Sequence, residues 1–201
     1  LFTSKRNGHI DPLNRNYNED LFFSRRADGV WGYSEEFKKI NTPYNEGSAC
    51  LSKDGKQLFF ARCNSPDSYG SCDIFHAVLK PDSTWGYTKN LGPAINSIGW
   101  DSQPSLSHSG DTLFFASDRI GGLGFSDIYY STKDKDGNWQ KALNLGPIIN
   151  TRGFEVSPFF HHKHNVLYFS SNGQPLSFGG FDILKSYKRK LTWDEPKNLG
   201  P

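Results

Sequence analysis

The sequence predicts an all-β protein, a β-propeller of four-stranded blades, on three observations. Tryptophans recur at Trp31, Trp85, Trp139 and Trp193, each 54 residues after the last, and a fixed long period marks a repeat architecture. Each period holds four short runs of aromatic and β-branched residues separated by turn residues, which is the pattern of strands. The third observation is composition: of 201 residues only 35% are hydrophobic, yet 15% are aromatic, and 20 Gly and 11 Pro punctuate the chain. So many aromatics argue against disorder, and so many Gly and Pro against long helices. No run approaches the ~18 consecutive apolar residues of a membrane-spanning helix. Four antiparallel strands per period, repeated about an axis, make a propeller, whereas a solenoid carries shorter units.

The third unit shows the elements most plainly. Strand one covers Asp101–Ser107, strand two Thr112–Ser117, strand three Asp127–Thr132, and strand four runs from Asn138 to about Asn144. The turn Ser107–Asp111 matches Ser52–Lys56, and Asp136-Gly137 matches Asp28-Gly29; Asp-Gly favours two-residue hairpin turns. The strand-two phrase recurs as Leu58-Phe59-Phe60-Ala61, Leu113-Phe114-Phe115-Ala116 and Leu167-Tyr168-Phe169-Ser170, and Leu1-Phe2-Thr3-Ser4 begins the same phrase. Asp73-Ile74, Asp127-Ile128 and Asp182-Ile183 open strand three, and Asn-Leu-Gly follows each of the last three tryptophans by five residues. Each unit closes on Ile-Asn (Ile40-Asn41, Ile95-Asn96, Ile149-Asn150), with a carboxylate five residues after the Asn: Glu46, Asp101 and Glu155.

The period divides a single domain, 1–201, into units of about 1–45, 46–100, 101–154 and 155–201. The first blade is incomplete, because the chain opens inside strand two. That start, and the absence of Met, are expected of a piece cut from a longer protein with a larger, six-bladed ring.

Charge and cysteine narrow the classes further. Basic residues number 23 and acidic 21, interspersed along the chain, which excludes a nucleic-acid partner. The short basic runs Ser4–Arg6 and Lys185–Lys190 read as solvated turns or edges. Cys63 and Cys72 bracket one loop, and a disulfide closing it is expected, implying an oxidising compartment. Cys50 is left as a small buried hydrophobe. No CxxC pair exists to hold zinc.

The phrase Gly110-Asp111-Thr112-Leu113-Phe114-Phe115-Ala116-Ser117-Asp118-Arg119, followed by Gly121-Gly122-Leu123-Gly124-Phe125-Ser126-Asp127-Ile128, resembles the PD40, or TolB-type, WD40-like propeller repeat. Trp139, Asn144-Leu145-Gly146 and Ile149-Asn150-Thr151 resemble the version found in OmpA-family cell-envelope proteins of Bacteroidota. Unit one departs from it through the Asn-rich insertion Ser4–Glu19, and unit two through the segment Cys63–Cys72. The resemblance implies a non-catalytic module in the periplasm or at the outer membrane. In such proteins it is often joined to a peptidoglycan-binding or tetratricopeptide domain, neither of which this chain contains.

Propeller geometry puts the tight turns on one face and the long loops on the other, where binding is expected. The candidate residues there are Glu46, Asp101 and Glu155, starting the innermost strands at the channel mouth, with Trp100 and Phe154 beside them. A carboxylate next to a ring suits a sugar or a cationic side chain of a partner. Equally, the acids bond neighbouring amides and fasten blade to blade. Asp118 and Arg119 are a further candidate, either as an anion cradle or as an internal ion pair. His161-His162-Lys163-His164 occupies a tight turn and reads as surface, and the four tryptophans read as core. The leading expectation is a protein-interaction scaffold binding an envelope partner protein, the alternative a glycan- or peptidoglycan-binding module. A glycoside hydrolase needs paired carboxylates and, in the sialidase type, an Arg cluster; only Arg119 and Arg152 lie on the right face. No cofactor or metal is expected.

Overall fold

The computed structural model describes residues 1–5, 10 and 15–201, and among these every regular element is a strand. Half of the insertion Ser4–Glu19, residues 6–9 and 11–14, therefore lies outside the described residues. The first blade comprises β1 (Phe2–Ser4), β2 (Asp20–Phe23) and β5 (Glu35–Glu36), with β3 (Arg26–Ala27) and β4 (Val30–Trp31) forming a separate hairpin. The second comprises β6 (Asn45–Leu51), β7 (Gln57–Cys63), β8 (Cys72–Val78) and β9 (Lys89–Asn90). In the third are β10 (Asp101–Leu106), β11 (Thr112–Ser117), β12 (Asp127–Thr132) and β13 (Leu143–Asn144). The fourth holds β14 (Glu155–His161), β15 (Val166–Ser171), β16 (Asp182–Tyr187) and β17 (Lys197–Asn198). All pairings are antiparallel between strands consecutive in each blade. The inner strand β10 packs between β6 and β14, and among the described residues no strand of the first blade touches one of the fourth. This is a four-bladed propeller arrangement whose first blade lacks its inner strand.

Register corrects one expectation. Ser4 pairs with Asp20 as Arg62 does with Asp73 and Ser117 with Asp127. Phe2 therefore stands where Phe60 and Phe115 stand, one position away from the alignment of the Leu-Phe phrases. A slip of one residue exchanges the two faces of a strand, so β1 shows its neighbours the opposite face to that expected.

Each inner strand also carries a bulge that the pattern of residues does not announce. It lies between Gly47 and Cys50, between Ser102 and Ser105, and between Val156 and Phe159. The residues inside it, Ser48, Gln103 and Ser157, have φ of 48°, 56° and 54°, a left-handed conformation that side chains disfavour. The bulges bend the inner strands toward their neighbours, and the Ser157 amide donates to Gln103 Oε1 at 2.6 Å between blades.

Strand four is shorter than expected. In the third blade only Leu143–Asn144 pair regularly, while Trp139 makes a single bridge to Lys133. Asp28-Gly29 does form a two-residue turn, with Ala27 paired to Val30 and both turn residues at positive φ. Asp136-Gly137 instead sits in a three-residue loop closed by the Asp134 amide on Asn138 O.

The core consists of three seams between blades. Leu21, Phe37 and Ile40 meet Leu58, Phe60 and Phe75 at the first. Phe59, Ile74 and Ile95 meet Leu113, Phe115 and Tyr129 at the second. Phe114, Ile128 and Ile149 meet Leu167, Phe169 and Leu184 at the third. Each tryptophan fills the seam with the blade before it: Trp85 against Phe37, Trp139 edge-on to Phe59, Trp193 edge-on to Phe114. Burying such a side chain stabilises by ~1.5–3 kcal/mol. Trp31 is the exception to the expected core role. It is 66% exposed, because among the described residues no blade precedes its own, and only the Arg26 guanidinium lies over it.

Candidate functional site

The repeated carboxylates sit at the seams. Glu46, Asp101 and Glu155 are each 0% exposed, the arrangement of acids that fasten blade to blade and not of an open ligand site at the channel mouth. Glu46 accepts from the amide and hydroxyl of Thr42 at 2.9 and 2.6 Å and from Arg62 Nε at 2.7 Å. Arg62 then donates to Ile40 O and lies over Phe75. Asp101 repeats the arrangement with the amide and hydroxyl of Ser97. Its cation is Arg119, which also donates to Ile95 O and lies over Tyr129. Glu155 takes Thr151 and the Ser171 hydroxyl, with no cation, and Gln174 donates to Ile149 O in place of an arginine. Three different chain positions thus supply one function.

Burial has an electrostatic consequence. It pushes the Glu46 carboxyl up to about 7, against the opposing pull of Thr42 and Arg62. Burial likewise raises Glu155, with Ser171 and Thr151 opposing.

A second polar chain explains the Asp-Ile, Asn-Leu-Gly and Ile-Asn phrases. Asp73 accepts from the Tyr69 and Gly70 amides and from Asn90 Nδ2. Asn90 Oδ1 accepts from the Gly92 amide and Asn96 Nδ2, and Asn96 clasps both backbone groups of Ile74. Asp127, Asn144 and Asn150 repeat this in the third blade. The phrases are one hydrogen-bonded unit that shapes the loop before strand three. In the second blade that loop is also closed covalently, by a disulfide between Cys63 and Cys72.

The same loops carry an apolar surface. Phe125, Phe154 and Phe181 are 68%, 38% and 54% exposed. The Phe125 and Phe154 rings stack at 5.1 Å, and Phe181 is tilted against Phe154 at 6.3 Å. Ile98, Ile120, Leu123, Leu176 and Phe178, from the loops of the same three blades, are also exposed. Trp100 is half-buried at the preceding seam, where its amide donates to Asp118 Oδ1 at 2.6 Å; Phe154 is held likewise by Asn172. Asp118 and Arg119 are thus both engaged within the second seam. Of the expected residues, Phe154 alone joins this surface as an exposed ring. Phe125 and Phe181 escaped notice because they fall in Gly-rich loops; the signal was an aromatic where unit two has Ser71 and Cys72.

Among the described residues no group of three or more His, Cys, Asp or Glu is placed to hold a metal ion, and no helix is long and apolar enough to cross a membrane.

With this geometry established, comparison with solved structures identifies the architecture. TolB from Acinetobacter baumannii matches 94% of this chain with a TM-score of 0.57 at 15% identity. The fold is that of a TolB-type β-propeller. The chain spans 39% of that TolB. The α-L-arabinofuranosidase from Lactobacillus brevis matches 94% of this chain and 68% of its own, with a TM-score of 0.57 at 13% identity. A puromycin-hydrolysing peptidase from Mycobacterium tuberculosis matches 92% of this chain and 31% of its own, with a TM-score of 0.54 at 14% identity. Catalytic and non-catalytic proteins share the architecture, so function rests on the site. No family model and no curated relative matches the chain.

Proposed function

We propose that the protein is a non-catalytic interaction scaffold of the cell envelope, and that the loop face of blades two to four receives an apolar segment of a partner protein. The observation that carries this reading is the ladder Phe125–Phe154–Phe181, with further exposed aliphatic side chains on loops of the same blades. Exposed apolar patches of this kind mark protein contacts. The polar groups beside it are already engaged: Asp118 and Asn172 hold amides, Asp73 and Asp127 hold loops, and the three seam carboxylates are buried. A glycan needs free donors and acceptors for its hydroxyls, and a hydrolase needs accessible acids. An apolar partner needs neither. Arg152, exposed beside Phe154, suits a partner with a carboxylate near its apolar residues.

A periplasmic or outer-membrane location accords with the TolB likeness and with the Cys63–Cys72 bond. Membership of a larger OmpA-family-like envelope protein of Bacteroidota is supported by the resemblance of the sequence phrases. The apolar outer face of blade four, with Phe159 and Ile183 each 57% exposed, is in keeping with that reading.

The test is photo-crosslinking in envelope extract from a benzoylphenylalanine placed at position 125 or 181. A discrete polypeptide adduct that disappears in Phe154→Ser, with melting temperature kept, is expected. An adduct indifferent to that change overturns the site. Retention on insoluble peptidoglycan that is lost with Phe154→Ser would instead identify a glycan ligand.

A further inference from the structure

Two sequence runs with no role in the loop face, Lys185–Lys190 and His161–His164, converge on the opposite side of the molecule. A cleft of about 480 Å³ on the turn face between blades three and four is lined by Lys188–Lys190 of the first run and by Asn165, the residue after the second. Phe114 and Phe160 line its floor, and Asn165, Lys188, Arg189 and Lys190 its rim. His108 from the β10–β11 turn stacks on His162 from the β14–β15 turn, with ring centroids 3.6 Å apart and planes within 13°. His161 and His164 stack behind them at 4.9 Å, and the buried Nδ1 of His161 has no hydrogen-bond partner.

The charges here do not cancel. Arg189 is bonded to Asp194 through two nitrogens. Asp111, the acid of the cleft wall, accepts the hydroxyls of Ser107, Ser109 and Thr112. Lys188 lies over Phe160 and Trp193, and neither it nor Lys190 is ion-paired among the described residues. Lys53 on the neighbouring turn and Lys163 beside His162 add positive field, and Lys53 and His162 both act on His108.

We propose that this cleft binds a multiply charged phosphate group, with Lys188 and Lys190 as its cationic donors, Asn165 as an amide donor and the His108–His162 stack as a proton-dependent edge. Lysine ammonium groups are compact point charges suited to a tetrahedral oxyanion. The apolar floor lowers the local dielectric and strengthens their attraction. Desolvation, and then the neighbouring His162 and Lys53, hold the His108 imidazole below its ordinary value, and an anion bound beside the stack opposes that shift. Binding therefore tightens as pH falls through the histidine range. Asp111, which accepts three hydroxyls, and Arg189, paired with Asp194, are the other ionisable groups lining the cleft, while Lys53, Lys163, His161 and His164 surround the stacked pair.

The experiment is calorimetric titration of the 201-residue chain with pyrophosphate at low salt, at pH about 6 and about 8. Saturable binding is expected, at least ~threefold tighter at the lower pH, and weakened ~tenfold or more in Lys188→Gln/Lys190→Gln. The single variant Lys190→Gln, at an exposed position, gives a smaller loss should the double variant melt early. His108→Gln is expected to abolish the pH dependence while keeping the higher-pH affinity. Affinity unchanged in the lysine variants, or lowered equally by Lys38→Gln/Lys39→Gln on the first blade, overturns the proposal. Lysine-dependent sedimentation with phosphatidylglycerol vesicles but not phosphatidylcholine identifies a lipid headgroup as the source. Pyrophosphate binding without sedimentation identifies a soluble phosphate.

Discussion

Single residues at the bulges and seams carry conformations and charges that the fold tolerates because several partners hold them. Ser48 is exposed, with φ of 48°. Glycine removes a left-handed penalty of ~1–2 kcal/mol and adds a smaller unfolded-state entropy cost. Ser48→Gly should therefore stabilise by about 0.5 kcal/mol, read as a raised melting temperature. Glu155 illustrates the electrostatic side. Its folded pKa lies above its ordinary value because of burial, so the folded state holds the proton more tightly, and stability falls as pH rises from that value through the folded one. Glu46 acts alike between 4.5 and about 7. His76, stacked on Phe59, is lowered by burial to about 4; it acts in reverse, losing stability as pH falls from 6.5. The parent's net slope mixes these effects, so the difference from a variant is the clean measure. Glu155→Gln should lose relative stability below pH ~4.5 and regain it as pH rises, in denaturant melts across the range. A pH-independent difference would show that folding leaves the Glu155 carboxyl at its ordinary value.

Between residues and the whole molecule stand the loops that join neighbouring blades. Gly124 is pressed against the next blade, and a Cβ there would lie 2.4 Å from both Gly153 O and Thr151 O. The Phe125 amide donates to Gly153 O at 2.9 Å. Gly124→Ala should therefore cost ~1–3 kcal/mol by forcing that contact apart, and should disturb Phe125 more than Trp193 in side-chain NMR. The strands of blades two to four were legible because period-two aromatic runs bounded by turns permit little else, and β11 and β12 match their expected limits residue for residue. The bulges were not, since nothing in Gly-Ser, Ser-Gln or Val-Ser marks a left-handed residue. The Leu1–Ser4 register was misaligned because a phrase of four residues is too short to fix it. At the site, the regular spacing of Glu46, Asp101 and Glu155 was visible. Their burial was decided by Arg62 and Ser171, which share one position of the repeat but differ in chemistry, and by Arg119, which stands two residues beyond that position. Phe154 was visible beside a repeated acid, whereas Phe125 and Phe181 become neighbours only once the blades are placed.

The whole molecule is a row of blades held by seams, and the four tryptophans test that description. Trp139→Ala should cost ~3 kcal/mol or more, because it opens the second seam, while Trp31→Ala should stay within ~0.5 kcal/mol. Thermal melts of the two variants decide the point, and equal losses would contradict the seam account. Because the apolar core is divided in three, with no strand contact joining the outer blades, no single nucleus governs the structure. Stability then resembles that of a linear array, a sum of unit and junction contributions. The third junction, whose buried acid has no cation, is the natural point for partial opening. Loosening there would tilt Phe125 away from Phe181 while the disulfide-closed blade stayed in place. The surface offered to a partner would thus change shape without the molecule unfolding, making the fourth blade a hinged jaw on a fixed base.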